Sequence, residues 1–228
     1  MRAYYDLSTR PATFDIVNFC ANAKTLGATE VVFDTSKGFQ AKKFSPEIAE
    51  MMYRNVLIPV ALEFGFSVSE GIEGDFTCGQ RWDDCFETFR EKRRMSILQY
   101  GGERSGVSVT IRDSIRNTHR NSNTSAWRRF ADDVGAIVID DAYKVQISIK
   151  DRLAIYRKCR MNYFCSNGPG VLCMFSNLPY AFFSPDSAKG TWTSTLNRFQ
   201  MPWATENQKI IWQNDSYENI KNQQRGGR

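Results

Sequence analysis

The residue types in this chain that can do chemistry gather in a few short segments, and most of them are suited to anions. Arg112, Arg116 and Arg120-Asn121-Ser122-Asn123 follow the apolar run Val107-Ser-Val-Thr-Ile111. Planar guanidinium groups meet phosphoryl oxygens in a two-point geometry that an ammonium cannot reproduce. Ser122, Asn123 or Thr124 would cap a following helix, but a cap needs no arginines, so an anion site is favoured over a solvated loop. Ser166-Asn167-Gly168-Pro169-Gly170 lies between a strand pattern and a helix pattern. Asn167 and Gly168 tolerate positive φ and Pro169 suits a first helical turn, which predicts free backbone N–H groups at a helix N-terminus aimed at phosphate. An ordinary strand-to-helix turn fits the same residues. Asp140 and Asp141 end the run Ile137-Val-Ile139. One of them would reach a ribose hydroxyl or a metal, or both would cap the next turn. Glu206, before another apolar run, is a sugar-binding candidate of the same kind. Asp15, with Thr13 and Asp6 nearby, stands where a cleft between two lobes would put a general base, or else it caps a helix.

Several chemistries lose support. There is no G-x-S-x-G, no Cys–His partnership in view, no Walker A loop and no G-x-G-x-x-G after a strand, which argues against hydrolase, kinase, NTPase and dinucleotide-dehydrogenase readings. His119 is the sole histidine, so a multi-histidine metal site is excluded. The cysteines lack zinc-ligand spacing and form no C-x-x-C pair, and they read as buried reduced thiols. A magnesium ion held by carboxylates and phosphate oxygens stays compatible and would leave no motif. Phe14, Phe19, Trp82, Trp127, Phe175, Phe182 and Phe183 fall at core spacing and read as packing, not as stacking platforms for bases.

The elements that must position these residues alternate. Strands are expected at 107–112, 136–142, 161–165 and 180–183, with helices at 125–134 and 149–159 and a short one after Gly170. Strands separated by helices of this kind imply parallel β-α-β units, whose ligands sit outside the carboxyl ends of the strands. The first part of the chain begins the same way, with strands at 3–7, 30–34 and 66–69 and a helix at 14–26 closed by Gly27. A second helix, opened by Ser45 and Pro46, is expected to reach Phe64 and to be kinked or interrupted by Pro59. Residues 71–106 break the rhythm around a charged amphipathic segment, 82–94, and a lobe boundary falls near residue 100. Residues 203–212 enter a short strand or helix, and 216–222 form a last helical turn. With 228 residues, 42% hydrophobic and 24% charged, the chain is of the soluble α/β class, as one compact domain or two small lobes. Its apolar runs are too short to span a bilayer and an acidic residue comes too early for a signal peptide, so the cytoplasm is the expected location. A net charge of +5 favours an anionic ligand without naming nucleic acid.

Taken in order, Val-Thr-Ile-Arg112, Arg120-Asn-Ser-Asn123 with Trp127, Ile-Val-Ile-Asp140, Asn167-Gly-Pro-Gly170 and Pro179-Tyr180 resemble the donor half of glycosyltransferases with the GT-B fold. The likeness covers residues 105–220 and is nearest to loosely characterised sugar-transferase-like proteins of bacterial carbohydrate clusters and phages. More weakly, Asp6 and Thr13-Phe-Asp15 resemble the first strand and loop of such proteins. The resemblance implies two Rossmann-like lobes, shorter than usual, with residues 1–100 on the acceptor side and 101–228 on the nucleotide-sugar side. It implies that Asn167, Gly168, Pro169 and Gly170 hold the donor diphosphate, that Arg112 and Arg120 neutralise it, with Asn121 and Ser122 also binding it, and that Asp140 and Asp141 lie beside the base or ribose. Asp15 would be the base. The nucleotide sugar would be the co-substrate, with magnesium permitted, and the acceptor a modified base in phage DNA or a surface glycan, in the host cytoplasm for a phage protein. A non-catalytic module for nucleotides or other phosphorylated ligands, and a basic structural protein that binds nucleic acid, are the alternatives.

Overall fold

The computed structural model describes residues 1–40, 44–114, 118–142, 148–165, 167–184 and 200–225. The chain divides into two compact units, Met1–Leu98 with Ser148–Lys150, and Gln99–Ile147 with Asp151–Arg228. Each is an α/β body built on a parallel sheet, of three strands in the first unit and five in the second.

In the first unit, β1 (Arg2–Asp6), β2 (Glu30–Asp34) and β3 (Ser67–Glu70) pair in that order. Phe76 bridges to Ala3 along the free side of β1. Tyr4 and Tyr5 in β1 and Val31, Val32 and Phe33 in β2 favour extended backbone, and Tyr5, Val31 and Phe33 are buried in the core. Helix α1 (Ile16–Thr25) connects β1 to β2 and ends before Gly27, whose φ of 91° an L side chain rarely adopts. Helices α2 (Pro46–Met52) and α3 (Ile58–Glu63) connect β2 to β3. The expected disturbance from Pro59 takes the form of a π turn, Tyr53–Leu57, in which the Ile58 N–H donates to the Tyr53 carbonyl. A proline lacks its own donor and crowds the carbonyl four residues back, and widening the preceding turn absorbs both defects without breaking the helix. Helix α4 (Trp82–Lys92) is amphipathic and ends at Arg93, whose φ is 55°.

The second unit contains β4 (Gly106–Asp113), α5 (Thr124–Val134), β5 (Ile137–Ala142), all but the first two residues of α6 (Ile149–Lys158), β6 (Cys159–Cys165), α7 (Val171–Met174), β7 (Tyr180–Phe183), β8 (Gln208–Ile211) and α8 (Tyr217–Arg225). Its strand order is β5-β4-β6-β7-β8, all parallel. The first strand of the unit therefore lies between the second and the third, and the winding reverses there. Side chains of β4 alternate between two helix layers. Val107, Val109 and Ile111 join Trp127 and Phe130 of α5, Phe183 of β7 and Ile220 of α8 in an apolar core. Ser108 and Thr110 point the other way, under α6, and form a buried polar ladder: Ser108 Oγ donates to Asn162 Oδ1 at 2.6 Å, and Thr110 Oγ1 lies 3.0 Å from the Tyr156 hydroxyl. All six cysteines are buried and unpaired, as their spacing predicts. No helix among the described residues is long and apolar enough to cross a membrane.

Candidate functional site

Where the winding of a parallel sheet reverses, the connections after the two neighbouring strands leave in opposite directions and open a crevice at the carboxyl edge. In the second unit those strands are β4 and β6. Arg112 stands at the end of β4, and Asn167 follows β6 by two residues.

The loop that leaves β4 is closed at its base by two bonds to Arg112: the Arg112 N–H donates to Ser122 Oγ at 2.8 Å, and the Ser122 N–H donates to the Arg112 carbonyl at 3.0 Å. Asn121 clamps the next residue pair, accepting from the Ser114 N–H and donating to the Ser114 carbonyl, each at 3.0 Å. Asn121 and Ser122 therefore shape the loop. Arg120 ends a 3-10 turn, Thr118–Arg120, half-exposed in the same loop, and Arg116 lies outside the described residues. Asn123 caps α5 by accepting from the Ala126 N–H.

Arg112 is a register partner of Asp141 on β5, so the two side chains leave the sheet on the same face. On that face Asp141 Oδ1 accepts from Arg152 Nη2 of α6 at 3.1 Å, and the Arg152 side chain is only 2% exposed. Arg152 Nη1 also donates to the Tyr156 hydroxyl at 3.3 Å, which joins this cluster to the polar ladder under α6. Burial pushes the Asp141 carboxyl above its ordinary range while Arg152 and Arg112 pull it back, and burial likewise pushes Tyr156 up to about 12. Burial also lowers Arg112 from its ordinary value, against the attraction of Asp141. Asp140 leaves the opposite face and pairs with Arg128 of α5 at 2.8 Å, an exposed contact.

The turn after β6 differs from the expected phosphate cradle. The Gly170 N–H donates to Asn167 Oδ1 at 2.9 Å, the Val171 N–H to the Gly168 carbonyl at 3.0 Å and the Leu172 N–H to the Pro169 carbonyl at 3.1 Å. Pro169 has no N–H. The first turn of α7 thus consumes its own donors, and at four residues the helix has little dipole to offer. Gly170 has an ordinary φ of −60°; it is glycine for space, because a Cβ there would lie 2.6 Å from Phe182 Cε2. A side-chain donor is left over. Asn167 Nδ2 is buried without a hydrogen-bond partner, and so is the Ser184 hydroxyl at the end of β7, the next strand along the same edge. Ser166 lies outside the described residues.

Two expected residues lie elsewhere. Glu206 is exposed in the turn before β8, at the amino edge of the sheet, because β8 runs parallel to the other strands; it cannot share a ligand with Arg112 and Asn167. Asp15 belongs to the first unit, where it holds the N-cap position of α1 without a capping bond from its side chain and accepts from the Thr13 hydroxyl at 2.8 Å. Two residues enter from the structure. Arg152 had a legible signal: it shares the stripe Ile149, Leu153, Tyr156, and a charge at helical core spacing demands a buried partner. Asp215 accepts from both the Trp127 indole N–H and the Asn123 N–H at 2.7 Å, placing a carboxylate of the protein itself at the N-terminus of α5. Asp215 carries no distinguishing pattern in the sequence. Among the described residues no group of three or more His, Cys, Asp or Glu is placed to hold a metal ion. No protein-family model, curated protein or solved structure matches the chain.

Proposed function

We propose that the carboxyl edge of the five-stranded sheet binds the diphosphate of a nucleotide sugar, and that the chain is a glycosyltransferase of the two-lobed GT-B kind. The observation that carries this reading is the place of Arg112: a half-buried guanidinium on the strand where the winding reverses, across the crevice from Asn167. The buried and unpartnered Asn167 Nδ2 and Ser184 Oγ on the two following strand ends support it, since a phosphoryl oxygen at this edge would give both an acceptor. In the transfer, negative charge builds on the departing diphosphate, and a cation already oriented there stabilises it with no reorganisation. The first unit is the acceptor side in this reading, with Asp15 as the base, and the acceptor is a modified base in phage DNA or a surface glycan. A nucleotide-sugar donor is consistent with the cytoplasm.

A second reading, binding of a phosphorylated ligand without turnover, is favoured by one observation: the Gly170, Val171 and Leu172 N–H groups are spent within the turn. Thermal unfolding in the presence of nucleoside diphosphates and nucleotide sugars, with and without magnesium, tests both. A ligand at a hundred times its dissociation constant stabilises by about 2.7 kcal/mol. The expected result is a selective rise in Tm that Arg112→Ala abolishes and Arg112→Lys reduces. No response to any ligand overturns the reading; a response without donor consumption, unaltered in Asp15→Asn, selects the binding module.

A further inference from the structure

Arg112 does not face an incoming anion alone. Its register partner is a carboxylate, Asp141, on the same face of the sheet. That carboxylate is not free to follow it. Asp141 Oδ1 is bonded to Arg152 Nη2 at 3.1 Å, Arg152 is bonded to Tyr156, and Tyr156 is in contact with Thr110 in the middle of β4. Every member of this chain except Asp141 is buried almost completely, and the Asp141 side chain is 16% exposed. Asp140, the neighbouring acid, leaves the other face and is engaged by Arg128, so it takes no part.

We propose that Asp141 is the resident counter-anion of Arg112: fixed by Arg152, it competes with any ligand for the guanidinium and holds down the affinity of the edge for anions. This rests on the reading of the carboxyl edge as a phosphoryl site and names the residue that tunes it. A carboxylate beside a cation in a poorly hydrated setting weakens that cation's pull on a second anion, and the loss grows with the charge on that anion. A diphosphate keeps its two-point contact with the guanidinium and is the ligand held back most. Arg152 keeps the competitor in place and compensates its charge, which is why a buried arginine belongs on the core stripe of α6.

The test is calorimetric titration of the full chain with pyrophosphate and with inorganic phosphate. Asp141→Asn keeps the shape and leaves an amide oxygen for Arg152, but removes the competing charge. It is expected to bind pyrophosphate on the order of tenfold more tightly than the unsubstituted protein, a gain of about 1.4 kcal/mol. Its preference for pyrophosphate over phosphate should widen, because the repulsion removed scales with the charge of the ligand. A residue that merely braces the fold would lower both affinities together and leave their ratio alone. Since Asp141→Asn leaves Arg152 buried beside a neutral group, Asp141→Asn/Arg152→Met is read alongside it; this pair deletes both charges and is expected to shift the ratio in the same direction by less, because a positive charge goes with the negative one. Equal or weaker pyrophosphate binding in a folded variant overturns the proposal while leaving the phosphoryl site standing. Loss of cooperative unfolding in both variants also overturns it, because the pair is then a brace. An unsubstituted protein that binds neither pyrophosphate nor any nucleoside diphosphate removes the site itself.

Discussion

Asp6 and Asp34 end adjacent strands in the same way, each folding its carboxylate back onto a serine two residues on. Asp34 Oδ1 accepts from the Ser36 hydroxyl at 2.6 Å and the Ser36 N–H at 2.9 Å, and Oδ2 accepts from the Tyr4 hydroxyl at 2.5 Å. The Ser36 hydroxyl, then Tyr4, holds the Asp34 carboxyl below its ordinary value, and the bond to Asp34 pushes Tyr4 up to about 12. A carboxylate depressed in the folded state contributes stability that is complete above its unfolded pKa of about 3.9 and is lost as pH falls through the folded value. Ser36→Ala is therefore expected to raise the Asp34 pKa towards the ordinary value and to remove part of the acid-sensitive stability. Carbon-detected NMR titration of the Asp34 carboxyl reads this directly, and an unchanged midpoint would refute it. At this scale the sequence shows which groups are charged but seldom which are already engaged. Arg112 was legible because it ends an apolar run. The N–H groups of Gly170, Val171 and Leu172 looked available in the sequence and are all taken, since hydrogen-bond pairing depends on how the turn closes.

Helix α7 is held against the sheet by an absence. Gly170 lets the turn settle on Phe182 and Phe164, where a Cβ would sit 2.6 Å and 3.1 Å from ring atoms. Gly170→Ala is expected to cost about 1–3 kcal/mol through overpacking, measured by urea unfolding. A variant as stable as the parent would mean that the rings yield freely. The strands and helices themselves were mostly legible, because β-branched and aromatic runs bounded by Gly, Pro and Asn leave little choice at 107–112, 136–142 and 180–183. Ends shifted by a residue or two, as in β4 (Gly106–Asp113) and β6 (Cys159–Cys165). The π turn at Tyr53–Leu57 was legible only as a disturbance: Pro59 announces that a bond is lost, while the packing of Tyr53 against Phe33 and its bond to Glu70 decide that the helix widens in place of breaking.

Over the whole chain, the two units carry separate sheets, and the proposed donor chemistry belongs to one of them. A nucleoside diphosphate alone is expected to slow amide hydrogen exchange at the carboxyl ends of β4 and β6 while leaving β1, β2 and β3 as they were. Equal protection in both sheets would count against a donor site confined to the second unit. The order of strands, which puts Arg112 and Asn167 on either side of one crevice, was not legible: alternating strands and helices dictate parallel pairing but not which strand sits in the middle. The polar ladder under α6 has a consequence for how that arrangement is reached. Parallel strands have no tight hairpin to fix their alignment, so side chains must do it. A slip of β4 by one residue would turn Ser108, Thr110 and Arg112 into the aromatic layer around Trp127. A slip by two would keep the faces but separate Ser108 from Asn162 and Thr110 from Tyr156, stranding buried polar groups at about 1–3 kcal/mol each. The ladder thus proofreads assembly, rejecting near-miss alignments that an all-aliphatic strand would tolerate, and a sheet that passes the check delivers its arginine to the rim.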